Sequence, residues 1–509
     1  MKDFLNKLRK NKIHISLENE NLKIKYNDKI SNDILEELKA RKEEIISFLK
    51  NSNQFKSVVV IPNVIKQKSY QISSLQQPIW SVSQLSKGSS AYNILEIFNL
   101  NGKINKNNFE LSLIETVKRH EVLRTIFKKN ELGDVRQFIL KEDESKFKLN
   151  FQDVREQNNA EGNIKDILTA EIDYSFDLST DSLFRCSLIQ KNSDEYILCV
   201  NIHHIICDGW SINLLINEVL SNYKVLNQNN KLSLEPLRIQ YKDYSEWQQN
   251  NLKNGYFEKH KLYWTSKFAD FSTHLELPSF KQRPKIKTYN GKKIKYQFSE
   301  DISSRLFNIT KNNSTTLFSS LVSVVYLLLY KYTNNNDITI GTVTAGRVNQ
   351  DVENQIGIYV NTLALRTKFE KNNNFNDLLK NVTTTLFEAI EYQEYPFNEL
   401  INDLKLKRDI SRSPLFDVVV VLQNQNKIFS NESVLDGLKV SKNNNFQKES
   451  SKHDLNFEFF ESKNSIELEL EFNTDIYDAL FIERMFVHFE NLLAQCIEGQ
   501  DKAIGSIDY

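Results

Sequence analysis

The sequence contains few cysteines, no net charge and no long apolar run, and each absence excludes a class of protein. The four cysteines, at positions 186, 199, 207 and 496, form no CxxC pair and no zinc-like spacing with histidine. We therefore expect buried, reduced thiols in a cytoplasmic protein and no metal site. Basic and acidic residues number 66 each, so no overall field favours a nucleic acid or a membrane surface as partner.

Segments that would cross or target a membrane are also missing. The apolar stretch 317–330 is shorter than the roughly 20 residues that span a bilayer, and its serines predict a buried helix instead. The N-terminus has no long apolar core and no cleavage site, so we expect no secretory signal. At 509 residues the chain exceeds what one hydrophobic core supports, which predicts two or more compact units.

The sequence pattern of residues 1–52 predicts a small α-β-β-α unit. Apolar and polar residues alternate over 13–18 and again over 22–26, the pattern of a hairpin of two strands, and apolar-faced stretches flank it. The edge of such a hairpin can accept an extended peptide, and Lys23 and Lys25 favour an acidic one. The residues alone favour a simpler interpretation, in which the hairpin packs on its own helices and the lysines face water.

The rest of the chain follows a polar linker, residues 53–69, and mixes helices with strands, which predicts α/β layers. We expect two similar lobes, residues 70–240 and 241–509. Amphipathic helices are predicted at 107–120, 162–173, 210–225, 302–312, 376–391 and 478–497. Strands are predicted at 92–100, 183–190, 195–202, 294–298, 337–343, 361–367, 416–422 and 464–472.

The string HHIICDG, residues 203–209, lies between a predicted buried strand and a predicted helix. Adjacent residues of an extended segment point to opposite sides, so only one of His203 and His204 faces a given substrate, and His204 is nearer to Asp208 and Gly209. Asp208 can fix the local backbone or pair with a base elsewhere. The Gly209 N–H can face a developing oxyanion.

Two simpler interpretations of the histidines stay open. A single histidine on an apolar strand is most often a satisfied core residue. Metal binding is a second alternative, but adjacent histidines diverge and make a poor ligand set with Asp208.

The complete HHxxxDG string resembles the signature of condensation domains of nonribosomal peptide synthetases, relatives of chloramphenicol acetyltransferase. Seven further segments resemble the motifs of that family in the same order, so that the resemblance spans residues 70–509. These segments are residues 73–80, 119–127, 241–248, 340–347, 356–362, 392–397 and 408–416.

The resemblance implies two chloramphenicol-acetyltransferase-like lobes in a V shape with a central tunnel. It also implies formation of an amide bond between an upstream donor thioester and a downstream acceptor amine. Both are carried on the 4'-phosphopantetheine of carrier domains, with no cofactor bound by the chain itself. His204 and Gly209 are then catalytic, while His203, Asp208 and Arg347 support the site, the last two as a buried ion pair.

Residues 1–52 resemble the N-terminal docking domains of synthetase subunits of the tubulysin type. In that family the second strand of the hairpin accepts the C-terminal tail of an upstream subunit. The predicted docking residues are Leu22, Lys23, Ile24, Lys25 and Tyr26. The implied partners are that tail with its carrier domain, a downstream carrier domain and an adjacent adenylation domain, because the chain is expected to be a piece of a longer subunit.

Further residues indicate the subclass of condensation domain, and two rival functions are also considered. Trp80 with residues 89–93 resembles the class that takes an L-configured donor, and neither the heterocyclisation nor the epimerisation pattern is present. One rival is an acyltransferase that acts alone on a soluble amine or alcohol, which would not need a docking unit. The other is a catalytically silent module that recruits carriers or partner enzymes, in which the histidine motif is commonly degraded.

Overall fold

The computed structural model describes residues 13–18, 21–26, 38, 41–42, 60–85, 92–271, 275–279, 281–407, 409–423, 433–435, 437–443, 446, 449–462, 465–499 and 501–509. The chain divides into two compact units, residues 1–60 and residues 61–509.

The first unit contains the predicted hairpin. Strand β1 (Ile13–Glu18) pairs antiparallel with β2 (Asn21–Tyr26). The register sets Ile13 opposite Tyr26 and Leu17 opposite Leu22, so that the apolar positions of the two runs fall opposite each other. Apart from residues 38 and 41–42, the flanking stretches predicted as helices lie outside the described residues.

The second unit mixes strands with helices, as predicted. Its strands are β3 (Tyr70–Gln71), β4 (Asn93–Asn101), β5 (Thr125–Lys129), β6 (Val135–Ile139), β7 (Leu149–Asp153), β8 (Phe184–Gln190), β9 (Glu195–His203), β10 (Gly291–Gln297), β11 (Asp337–Thr344), β12 (Asn361–Lys368), β13 (Val418–Gln423), β14 (Ser433–Leu435), β15 (Leu438–Lys442), β16 (Leu455–Glu461) and β17 (Ile466–Asn473).

Its helices are α1 (Gln76–Leu85), α2 (Lys106–Arg119), α3 (Ala160–Ile172), α4 (Gly209–Asn227), α5 (Tyr241–Lys253), α6 (Glu258–Lys267), α7 (Glu300–Asn312), α8 (Leu317–Thr333), α9 (Gln350–Glu353), α10 (Phe375–Glu391), α11 (Phe397–Leu404) and α12 (Ala479–Glu498). The six helices and eight strands predicted above are all confirmed, with ends shifted by at most three residues.

The strands form two six-stranded sheets and one small sheet. The first large sheet has the order β14-β15-β4-β9-β8-β7, the second β10-β17-β16-β13-β11-β12, and β3-β6-β5 form the small one. Most neighbours are antiparallel, and the parallel pairs are β7 with β8, β11 with β13, and β13 with β16.

Each large sheet has a hydrophobic core of its own, and we call the two parts the first lobe and the second lobe. In the first lobe, alternate residues of β9 pack against helices α2 and α4. In the second lobe, α8 packs among α10, α12 and the sheet, and Leu321 to Leu329 are almost entirely enclosed. Helix α8 thus confirms the buried helix predicted from the apolar stretch.

Two segments from the C-terminal half complete the first lobe. Strand β15 pairs with β4, and Leu438 and Val440 lie in the core of the first lobe. Residues 345–360, which we call the crossover segment, add Val352, Ile356 and Tyr359 to the same core. The lobes are therefore interleaved in sequence. The V shape, the tunnel and the domain boundaries drawn at 52/53, 69/70 and 240/241 stay predictions.

No single helix among the described residues is long and apolar enough to cross a membrane. Helices α7 and α8 together have the necessary length and apolar composition, but the chain bends by 110° at the break between them.

Candidate active site at the histidine motif

The histidine motif forms the turn between β9 and α4, as predicted. Strand β9 is a run of apolar and β-branched residues and ends at His203. Helix α4 begins at Gly209, where the Asp208 side chain caps the helix and accepts a hydrogen bond from the Ser211 N–H at 2.8 Å. Gln76, fully buried, donates to the Ile205 carbonyl at 3.0 Å and fixes the turn from the side of α1.

His203 points into the first lobe. Its side chain is buried and meets Phe176 edge to face, with the ring centres 5.9 Å apart. Its Nδ1 accepts the Ile205 N–H at 3.2 Å, so this nitrogen carries no proton. Burial lowers the pKa of His203 to about 3. These contacts fit the supporting role that was predicted for His203.

His204, the next residue, is half-buried. Its backbone N–H donates at 2.8 Å to the carbonyl of Tyr92, the residue before β4. Burial lowers the pKa of His204 to about 4, the charge of Lys452 adds to the decrease, and Asp208 and nearby backbone carbonyls only partly oppose it. Within the described part of the chain, the buried Nδ1 of His204 has no hydrogen-bond partner. With its pKa lowered this far, the ring is neutral at physiological pH.

Asp208 is enclosed and its carboxylate accepts four hydrogen bonds. One oxygen accepts from Ser211 and from Arg347, the latter at 3.3 Å, and the other accepts the N–H groups of Tyr359 at 2.8 Å and Val360 at 3.2 Å. The predicted pairing of Asp208 with Arg347 is thus present between two side chains that are only 2–3% exposed. Asp208 ties the turn of the first lobe to the crossover segment.

Arg347 is held as firmly as the aspartate. It donates to Ser211 Oγ at 2.7 Å and to the carbonyls of Gln355 and Val352. Its guanidinium also lies over the Tyr359 ring, 4.3 Å from the ring centre. Ser211 and Tyr359 were not among the predicted site residues. Tyr359 lies in a segment that was matched to the family, but no residue pattern indicated that it stacks on the arginine.

Gly209 is exposed at the first position of α4. A Cβ atom added there would meet nothing within 4 Å, so open space adjoins the backbone at this point. The first N–H groups of a helix have no partner within the helix and point along its axis with partial positive charge. The geometry therefore leaves room for a substrate at the helix start.

The remaining predicted site residues fall elsewhere. Residues 22–26 lie in β2, paired with β1. Trp80 packs against the core of the first lobe, while residues 89–91 of the segment associated with donor configuration lie outside the described residues. All four cysteines are buried, as expected from the sequence, and none is bonded to another. Among the described residues no group of three or more His, Cys, Asp or Glu could hold a metal ion.

Three histidines with lowered pKa values make stability sensitive to acid. Burial lowers the pKa of His203 to about 3, of His204 to about 4 and of His453 to about 3. Unfolded histidine has a pKa of about 6.5, so between pH 7 and pH 5 the unfolded chain binds protons that the native chain does not. We expect each histidine to lower the free energy of unfolding by up to about 2 kcal/mol at pH 5.

Urea midpoints at pH 7.5 and pH 5 measure this loss. The variant His453→Gln should lose less stability on acidification than wild type, and the control His488→Gln, which alters a more exposed histidine, should lose nearly as much as wild type. An equal loss of stability on acidification in wild type and in His453→Gln would contradict the lowered pKa of His453.

The fold is similar to those of two solved domains. The X-domain from teicoplanin biosynthesis superposes with a TM-score of 0.79 at 20% identity, covering 88% of this chain and 100% of that chain. The starter condensation domain of rhizomide synthetase gives 0.72 at 18% identity, covering 87% and 98%. The architecture is therefore the chloramphenicol-acetyltransferase-like fold.

Sequence comparisons define the family. The Condensation domain model matches residues 66–509, and the TubC N-terminal docking domain model matches residues 1–51. A plipastatin synthase polypeptide of Bacillus subtilis (strain 168) is 35% identical over 447 residues, which cover 87% of this chain and 17% of that protein. Gramicidin S synthase 2 of Brevibacillus brevis is 32% identical over 467 residues, with 92% and 10% covered.

The chain belongs to the condensation domain family of nonribosomal peptide synthetases, acyltransferases that form peptide bonds, and begins with a TubC-type docking domain. It spans less than a fifth of the length of these two curated relatives.

Proposed function

We propose that this chain transfers an L-configured aminoacyl or peptidyl group from an upstream carrier to the α-amine of an aminoacyl group on a downstream carrier. Both groups are thioesters of a phosphopantetheine arm. The amine nitrogen bonds to the donor carbonyl carbon, the C–S bond breaks, and the donor arm leaves as a thiol. The observation that most supports this proposal is that His204 is half-buried and neutral. It lies at a turn that the buried Asp208–Arg347 pair holds in place.

Proton transfer is the task that we assign to His204. An α-amine with a pKa near 7.7–8.0 is partly neutral at cellular pH and attacks the thioester without help from a base. The tetrahedral intermediate then carries an acidic ammonium, whose proton the His204 ring accepts. Because the pKa of His204 is lowered to about 4 and that of a thiol is about 8.5, the proton passes on readily to the departing sulfur.

Binding of the oxyanion is assigned to the Gly209 N–H. Two variants distinguish loss of this N–H from the effect of an added side chain. Gly209→Pro removes the N–H but suits the first position of a helix, and the extended backbone of Asp208 (φ −122°, ψ 178°) suits a residue before proline. We expect Gly209→Pro to lower the condensation rate by about 10²–10³-fold.

Gly209→Ala is the matched control for this experiment. Alanine keeps the N–H and meets nothing within 4 Å, so its condensation rate should stay close to that of wild type. Single-turnover rates with loaded carriers measure both variants. Equal rates for the proline and alanine variants would remove Gly209 from the mechanism.

Docking of the upstream subunit is assigned to β2. In the described part of the first unit, β2 pairs with β1 on one edge and with no other strand, so an extended tail can add as a third strand. Lys23 and Lys25 favour an acidic tail. Titration of a fluorescent acidic tail peptide against wild type and Lys23→Glu/Lys25→Glu tests the assignment. Weaker binding by the double variant is expected, and equal binding would contradict it.

The partners and compartment follow from the same proposal. The upstream subunit supplies its tail and its carrier, the second carrier lies downstream, and an adenylation domain adjoins the condensation domain in the full subunit. Four unpaired thiols are compatible with the reducing cytoplasm, where we place the reaction.

A recruiting module is the second candidate, because the X-domain of teicoplanin biosynthesis, which was solved in complex with OxyB, has the same fold. A recruiter needs a partner surface and no chemistry at the histidines. The complete HHIICDG string favours catalysis. A reaction with loaded donor and acceptor carriers, followed by intact-protein mass spectrometry, distinguishes the two: condensation increases the acceptor mass by one donor residue, and recruitment leaves it unchanged.

A further inference from the structure

A cavity opens on the first lobe where the end of α3 meets β7 and β8. Its volume is about 270 Å³, whereas a single ordered water needs roughly 10–15 Å³. None of the site residues described above lines it. Its charged and aromatic polar lining consists of Lys146, Lys148, Glu171, Tyr174, Asp181 and Arg185. The cavity can therefore hold a polar group much larger than a water molecule.

Arg185 forms a fixed wall of this cavity. Its Nε and Nη2 donate to the Glu171 carboxylate at 2.9 Å and 2.8 Å, and that carboxylate is only 5% exposed. The same carboxylate accepts the Ser187 hydroxyl at 3.0 Å. The guanidinium also lies over the Tyr174 ring, 3.9 Å from the ring centre. A planar guanidinium held on two sides is preorganised to bind a phosphate or a carboxylate.

Two exposed lysines, Lys146 and Lys148, add charge to the cavity. Lys146 donates to the Thr180 carbonyl at 2.8 Å, a neutral acceptor that leaves the charge of the lysine uncompensated. Neither lysine forms an ion pair within the described part of the chain. The second carboxylate of the cavity, Asp181, accepts the Tyr174 hydroxyl at 3.1 Å. Three cations thus accompany two carboxylates that are already engaged, so the cavity favours an anion.

The wall of the cavity is anchored on the strands that lead to the histidine motif. The Tyr174 carbonyl accepts the side-chain amide of Asn93 at 2.7 Å, and Asn93 stands opposite His203 in the sheet. The Glu171 carbonyl accepts the side-chain amide of Asn201 at 2.6 Å, two residues before His203 on β9. A ligand in the cavity is therefore bound by the same part of the first lobe that carries the histidines.

We propose that this cavity binds the phosphate of a phosphopantetheine arm and so helps to seat one of the two loaded carriers. The proposal rests on the carrier-dependent reaction assigned above. The phosphate that joins an arm to its carrier is the anion that all substrates of that reaction share. A fixed guanidinium and two exposed lysines match its negative charge and its several acceptor oxygens.

Direct binding to the full chain tests this proposal without turnover. Isothermal titration calorimetry compares 4'-phosphopantetheine with pantetheine, which lacks the phosphate. We expect Lys146→Ala/Lys148→Ala to weaken the binding of phosphopantetheine about tenfold, because two exposed ionic contacts are lost, and to leave the binding of pantetheine unchanged. Inorganic phosphate is the third probe. If it binds as tightly as phosphopantetheine, the cavity takes free phosphate and the proposal for the arm fails.

Carrier kinetics give a second readout. The double alanine variant should raise the KM for one loaded carrier about tenfold and keep the wild-type kcat, because the lysines act on binding and not at the reacting atoms. Lys146→Arg/Lys148→Arg should restore the wild-type KM. Lys103→Ala/Lys224→Ala removes two exposed lysines of the first lobe that do not line the cavity, and it is the control of equal charge change.

Two outcomes distinguish failure of this proposal from failure of the proposed function. An active double alanine variant with an unchanged KM for both carriers would overturn the assignment of the cavity alone. Phosphate-dependent binding of the free arm that requires the two lysines, in a chain that transfers nothing between carriers, would keep the cavity as the site of the arm and refute the proposed function.

Discussion

His204→Asn is expected to lower the rate of peptide-bond formation by about 10²–10⁴-fold, the usual contribution of a positioned acid or base. The variant should fold, because the side chain is half-buried, its Nδ1 has no partner among the described residues, and the hydrogen bond to Tyr92 comes from the backbone. Asparagine also retains a polar group that can contact the amine, so the loss reports mainly on proton acceptance.

The measurement is a single-turnover assay with both carriers loaded in advance, so that loading does not limit the rate. His453→Gln is a suitable control, since His453 is likewise neutral and has a buried Nδ1 without a partner in the described structure. It should react at nearly the wild-type rate. A His204→Asn protein that keeps the full rate would refute proton acceptance by His204.

Asp208→Ala is expected to cost about 3–5 kcal/mol of stability and most of the activity. The substitution leaves the Arg347 guanidinium buried without its carboxylate, which is the usual origin of such a loss. It also removes the cap of α4 and the acceptor of two backbone N–H groups in the crossover segment. Chemical denaturation measures the loss.

Two comparisons make this result specific to the buried pair. Asp208→Ala combined with Arg347→Met should recover part of the lost stability, because no buried charge is then left alone. Asp153→Ala, which breaks the exposed pair with Arg155, should leave the denaturation midpoint unchanged. If Asp208→Ala loses activity but no stability, Asp208 acts in the chemistry and not in the support of the turn.

Local structure was predictable where the sequence pattern is strong. The apolar run of β9 and the capping aspartate of α4 fix the strand, the turn and the helix around the histidines, and all three are present. The alternation of an extended segment predicts opposed directions for His203 and His204. The Asp208–Arg347 pair was expected only from the resemblance, since no local pattern joins residues so far apart.

Contacts between distant segments were not predictable in this way. Strand β15 is short and pairs with β4, far away in sequence, and only the assembled sheet shows that it belongs to the first lobe. Tyr359 stacks on Arg347, and Lys452 meets Tyr92, for the same reason. Propensity acts over neighbouring residues, whereas these contacts depend on how the two lobes pack.

The most direct test of the account is transfer between carriers. Wild-type chain is mixed with a donor-loaded carrier that ends in an acidic tail and an acceptor-loaded carrier, and a parallel reaction contains a soluble donor thioester with a free amine. We predict a gain of one donor residue on the acceptor carrier, abolished by His204→Asn, and little product from the soluble pair. Product from the soluble pair alone, or no product in either reaction, would contradict condensation between carriers.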